Sequence, residues 1–248
     1  MMTPQIPGMP MPLPPTDPGA GGYNSQPWYS RADDIAFAKV ALAAALAADA
    51  KGLTHASAHM RHYLSNTGND LELDPDQIEQ DDPKLKQLVD QIVSEAARGI
   101  ASDAGNYDKA VQFQLPWDWD HTFDRDDKRD WFLAIGSVHV TACGAVTVHK
   151  PDTEGAQPRV SVYFQSHLFD RYNWDGTNKD DTKKTDILGI EVGDVQLGGL
   201  HTAGVAKEFN MIGSSVIKLY EGVVPTSGSI SLPTGPESRK NTHTDPTR

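Results

Sequence analysis

The chain has 248 residues, 38% of them hydrophobic and 23% charged, with a formal net charge of -12. That suits one large or two small domains with a real core. The acidic balance repels phosphate backbones, so general binding to nucleic acid or to anionic membranes is disfavoured; a cationic partner, a metal ion or a basic inhibitor protein fits the charge better.

The N-terminal stretch "MMTPQIPGMPMPLPPTDPGAGG" holds seven of the 17 prolines and four of the six methionines. Proline density favours extended polyproline-like backbone and excludes helix or ladder. Residues 1–24 are therefore expected to form a disordered arm, serving as a flexible leader or as a docking peptide. No charged n-region or continuous apolar h-region marks a Sec signal peptide. The longest apolar run, Ile35 to Ala50, is Ala-rich, contains Lys39 and falls short of the roughly 20 residues of a membrane span. No transmembrane segment is expected.

Helical signals follow over residues 25–105. Ser30 is a candidate N-cap, Asp33 and Asp34 complement the helix dipole, and Lys51-Gly52 supplies a stop. A second helix is predicted over about Thr54 to Leu64, ending at Asn66 and Gly68. A short helix and a longer one come next, the longer opened by Pro83 and striped by Leu85, Leu88, Ile92, Val93 and Ala96. Together these read as a small helical bundle.

The pattern changes over residues 106–224. "WFLAIGSVHV", "CGAVTVHK" and "RVSVYFQSHLF" are rich in β-branched and aromatic residues and are separated by turn signals. Val160, Val162, Phe164 and Leu168 alternate with Ser161, Tyr163, Gln165 and His167, the pattern of a half-buried strand. The fold class expected is α+β: an N-terminal helical region, then an antiparallel β-sheet or partial barrel with one inserted helix over about Asp194 to Phe209. A last strand, "SSVIKLYEG", closes it. Residues 225–248 are rich in Pro, Ser, Thr and Gly and read as a disordered tail. The single cysteine, Cys143, lies in a strand-like run and reads as a buried, inert thiol.

Four groups of residues could carry chemistry. His55, His59 and His62 share one helix face, a spacing that can aim imidazoles at a metal or simply form a polar rim. His121 lies in the acid-rich stretch "DWDHTFDRDDKRDW", which reads first as a solvated, ion-paired loop and second as a cation site. The third group is "HLFDRYNWDGTNKDD". A strand continued through it points Asp170, Tyr172 and Trp174 one way and Arg171, Asn173 and Asp175 the other. Asp170 and Tyr172 could then position a water or polarise a phosphoryl oxygen, and Arg171 could pair with phosphate or an acid. Asp175, Asn178, Asp180 and Asp181 offer oxygen ligands for a hard cation. The plainer reading is a hairpin end with an Asp-Gly turn. The fourth group is "GLHTAGVAKEFNMIGSS", where His201, Lys207 and Glu208 lie on or near the inserted helix and His201 is an imidazole available to the acidic loop.

The segments "WFLAIGSVHVTACGAVTV", "FDRYNWDGTNK" and "GLHTAGVAKEFNMIGSS" resemble a C-terminal domain of bacterial polymorphic toxins, and "HMRHYLSNTGNDLELD" resembles helical regions that accompany it in actinobacteria. A fainter similarity is to the activity domain of colicin M-type bacteriocins, β-rich hydrolases of lipid II that require magnesium or calcium. That resemblance places Asp170 and Tyr172 on catalytic positions, puts Asn173 where the family has an Asp, and leaves the family's following His-Arg pair without a counterpart.

The resemblance implies an effector acting in the cell envelope, delivered without a Sec signal peptide, with an immunity protein or a secretion apparatus as partner. Its reaction would be metal-assisted hydrolysis of a lipid-linked pyrophosphate. Asp170, Asp175 and Asp180 would hold Mg or Ca, Tyr172 would contact phosphate, Arg171 and Trp174 would bind substrate, and His201 would move the proton. The alternative is a non-enzymatic binding or structural module, such as a secretion-machine cargo or a particle component.

Overall fold

A computed structural model describes residues 4–12, 19–151, 153, 156–174, 184–187 and 190–234. The architecture is α+β, with N-terminal helices preceding a mixed seven-stranded sheet. Two long strands form its spine. They are β4 (Ser137–His149) and β5 (Arg159–Tyr172), paired antiparallel from His139↔Phe169 to His149↔Arg159. Each spine strand is long enough to take two neighbours end to end. Along β4 run β2 (Ala110–Gln114) and β3 (Trp119–Thr122); along β5 run β8 (Phe209–Ser214) and β9 (Lys218–Val223). The short β1 (Leu71–Glu72) adds to β8 in parallel. A separate ribbon pairs β6 (Lys184–Ile187) with β7 (Ile190–Gly193). The ladder path stays open from β1 to β2.

Residues alternate across the spine as period 2 demands. Val160, Val162, Phe164, Leu168 and Tyr172 share one buried face with their partners Val148, Val146, Val140 and Phe209. The helices cover this inner face. They are α1 (Ala32–Asp49), α2 (Thr54–Leu64), α3 (Pro75–Asp81), α4 (Pro83–Ala101) and α5 (Arg129–Ala134). α4 lies across β4 and β5 through Leu85, Val89, Ile92, Val93 and Ala97, and α1 packs on α2. Leu88 and Ala96 of the expected stripe are half-buried.

The helices are thus not a bundle of their own. Helix and sheet residues join one core cluster, because each helix has a single apolar face and that face meets the sheet or its neighbour. Nor is the polar side of the interface bare. Lys218, fully buried, donates to Glu79 at 2.7 Å and reaches Asp76 at 2.8 Å, tying β9 to α3.

Local boundaries depart from the sequence expectations in four places. Ser30 lies in a one-turn 3-10 segment, Trp28–Ser30, and Arg31 precedes α1 without a side-chain cap. "WFLA" belongs to α5 rather than to a strand. The inserted helix, α6, is only Asp194–Thr202. It ends in a Schellman turn, with Gly204 at φ +75 and hydrogen bonds from Gly204 N to the His201 carbonyl at 3.0 Å and from Val205 N to the Leu200 carbonyl at 3.0 Å. Phe209 consequently opens β8, and Lys207 and Glu208 lie between helix and strand. Among the described residues, no helix is long and apolar enough to cross a membrane.

Candidate functional site

The end of β5 opens onto a cavity of about 440 Å³, and Asp170, Tyr172 and Trp174 all line it. Opposite them stands α1, whose Ala41, Ala44, Ala45 and Ala48 form one wall. Those four alanines recur at helical spacing, so a single helix face presents methyl groups and leaves room where Leu or Phe would fill it. Met60, Phe132, Leu133, Ile135, Val192 and Leu197 complete a mostly apolar lining. Arg125, over the Phe132 ring at 6.0 Å, Asn173 and Asp194 add polar groups.

Three donors in this wall have no partner among the described residues: the Tyr172 hydroxyl, the Trp174 indole N–H and the Arg171 Nε–H. Tyr172 is 5% exposed and held in place by rings on several sides. It stacks on Phe209 at 4.9 Å, meets Trp174 edge-on at 5.3 Å, and touches Tyr63 at 5.8 Å. The adjacent Tyr63 hydroxyl, by contrast, donates to the Leu197 carbonyl at 2.7 Å. Buried polar groups in native proteins are nearly all hydrogen-bonded, so three unpartnered donors gathered in one cavity wall are a cluster that a ligand acceptor would satisfy. Burial pushes the Tyr172 phenol far above its ordinary range, which keeps it a neutral donor and excludes a phenolate role near neutral pH.

Other predicted site residues go elsewhere. Arg171 contributes to the lining, but its guanidinium donates to Glu208 at 3.0 Å. His201 is outside the cavity lining. Its Nδ1 accepts from the Glu208 backbone N–H at 3.1 Å, and the Tyr23 ring packs edge-on against it at 5.5 Å. Burial holds its pKa below the usual histidine range, opposed by the nearby Glu208 carboxylate. Asp175, Asn178, Asp180 and Asp181 lie outside the described residues. Among the described residues no three His, Cys, Asp or Glu groups converge as metal ligands; Asp175 and Asp180 of the expected Mg or Ca site are not among those residues.

The three histidines of α2 separate rather than converge. His55 stacks on Trp131 at 3.7 Å, His59 bonds to the Ala134 carbonyl at 2.8 Å, and His62 bonds to the Asn69 carbonyl at 2.8 Å. His121 bonds to Asp82, the N-cap of α4, at 2.8 Å, which gives it a structural position. Cys143 is buried, and burial raises its thiol to about 11, as expected for an inert cysteine. The alanine wall is not among the residues that the sequence singles out by chemistry. The signal was present as Ala41, Ala44, Ala45 and Ala48 at i, i+3, i+4 and i+7, within a run that is Ala-rich on its other faces too. The chain matches no protein-family model, no curated protein and no solved structure.

Proposed function

We propose that the cavity at the end of β5 binds a small, largely apolar molecule carrying an acceptor oxygen. The observation behind this reading is that Tyr172 and Trp174, beside Arg171 Nε, hold donors without partners among the described residues in a mostly apolar chamber. A volume of about 440 Å³ lies within the roughly 300–1,000 Å³ range of small-molecule sites, which are mostly apolar with a few placed polar groups. The apolar part lies along the alanine wall, and the acceptor oxygen takes the two hydrogen bonds. The chain so read is the ligand-recognition part of an envelope-acting effector, with an immunity protein or a secretion apparatus as its partner. A short isoprenoid alcohol or its diphosphate has the required chemistry.

A second reading is hydrolysis of a lipid-linked pyrophosphate, favoured by one observation: Asp170 shares the cavity wall with Tyr172. In that reading Tyr172 donates to a phosphoryl oxygen and Asp170 orients water. Titrating geraniol and geranyl diphosphate into the protein, with and without magnesium, separates the two. Saturable binding of both without phosphate release supports recognition alone. Phosphate release that is lost in Asp170→Asn supports hydrolysis. No binding of either compound removes the proposal.

A further inference from the structure

The Pro-rich arm is not free of the body. Residues 4–12 lie along the outer face of β2 and β4, opposite the helix-covered face. Gln112 donates through Nε2 to the Gln5 carbonyl at 2.8 Å, and Gln114 through Nε2 to the Gly8 carbonyl at 2.8 Å. The Trp117 indole donates to the Pro10 carbonyl at 3.3 Å, and the Cys143 thiol to the Gly8 carbonyl at 3.2 Å.

Every one of these bonds runs from a side-chain donor to a backbone carbonyl of the arm. That suits a proline-rich segment, whose prolines keep their carbonyls but lack N–H groups. Exposure along the arm is periodic. Gln5, Gly8 and Met11 are exposed, while Pro4, Ile6, Pro7, Met9, Pro10 and Pro12 are half-buried. A repeat of three is the period of the polyproline II helix, with one edge in solvent and two against the protein. Two further features build the groove floor. Trp117 is buried, and its ring meets Phe169 edge-on at 6.0 Å, which fixes the indole that reads the arm. Pairing of Gln112 with Ala145 and Gln114 with Cys143 puts both amides over short side chains, leaving space above β4.

We propose that this outer face is a docking groove for proline-rich peptides in the polyproline II conformation, and that Pro4–Pro12 is a resident ligand bound in cis. An aromatic donor with flanking polar donors is the physics by which proline-rich segments are recognised: the peptide is already extended, so little conformational entropy is lost on docking. Because the readout is of carbonyls, the groove accepts the same segment supplied in trans once the cis arm is weakened. Recognition here is separate from the cavity, which opens on the other side of the sheet.

The full chain carries its own reporter, since the only cysteine lies beneath the arm. Pro7→Gly combined with Pro10→Gly weakens the polyproline II conformation without touching the groove. Alkylation of Cys143 by N-ethylmaleimide is expected to rise about tenfold or more in this variant, as the covering segment opens. Excess synthetic peptide with the Pro4–Pro12 sequence restores protection, whereas the same peptide with glycine at every proline does not. Trp117→Phe in the full chain, which keeps an aromatic ring and removes the indole donor, should also speed alkylation and should blunt rescue by the peptide. Circular dichroism establishes that each variant is folded. Unchanged alkylation in both folded variants, or acceleration that the wild-type peptide fails to reverse, overturns the proposal.

Discussion

The Tyr172 ring lies nearly parallel to that of Phe209, with centroids 4.9 Å apart, while its enclosed hydroxyl meets no partner among the described residues. Packing therefore fixes the ring, and the hydroxyl is left for something else. Tyr172→Phe keeps the stacking and removes an unsatisfied donor. Leaving a buried polar group unpaired costs about 1–3 kcal/mol, so the variant should be as stable as the parent or more stable by about 1 kcal/mol in urea denaturation. A stability loss above about 2 kcal/mol would mean the hydroxyl has an internal partner.

The buried ion network makes an opposite prediction. Lys218→Met strands Glu79 and Asp76, which lie 2.7 and 2.8 Å from the ammonium. Removing one member of a buried pair costs about 3–5 kcal/mol. Adding Glu79→Gln should return part of that loss, read as coupling in a double-mutant cycle. Additive effects would contradict the assigned contact.

Stability should also fall in mild acid through His167. Burial lowers its pKa to about 4, and its Nδ1 faces the Ser214 hydroxyl at 2.8 Å. A folded-state pKa below the unfolded value of about 6.5 means the unfolded chain binds more protons between those limits. The contribution is fully present above pH 6.5 and is lost as pH falls toward 4, at up to about 1.4 kcal/mol per pH unit. His167→Gln should flatten the urea midpoint across that window. An unchanged slope would place the titration on another group.

Gly204 tests the boundary of α6. Its φ of +75 lies in the left-handed region, and an added Cβ would meet the Asn24 side chain at 2.5 Å. Gly204→Ala should cost about 1–2 kcal/mol in thermal denaturation. A neutral effect would argue against the Schellman turn.

These relationships were unequally visible in the sequence. The α2 boundaries, Pro83 at the start of α4 and the alternation of Val160, Val162 and Phe164 follow from local chemistry: capping, fixed proline φ and period 2. The extent of α6 did not follow, because apolar Val205 and Phe209 continue a helical spacing that Gly204 interrupts. "WFLA" reads as strand by composition, yet it forms a short helix packed on α2. Asp170, Tyr172 and Trp174 do line one cavity, but so do Arg171 and Asn173, which the alternation sends to the other face, because the strand ends at Tyr172. The opposite wall was not legible, since α1 lies more than a hundred residues away in the chain and only tertiary packing brings its alanines there. The same distance along the chain hid the surroundings of His201, whose Nδ1 accepts from the Glu208 backbone N–H and whose ring meets Tyr23.

The most direct measurement is isothermal titration of geraniol into the wild-type chain, Tyr172→Phe and Ala45→Leu. The wild type should bind saturably. Tyr172→Phe should weaken binding about tenfold, the loss of one buried hydrogen bond, and Ala45→Leu, which fills the alanine wall, should abolish it. Equal affinity in all three folded proteins, or none in the wild type, would contradict a ligand site at the end of β5.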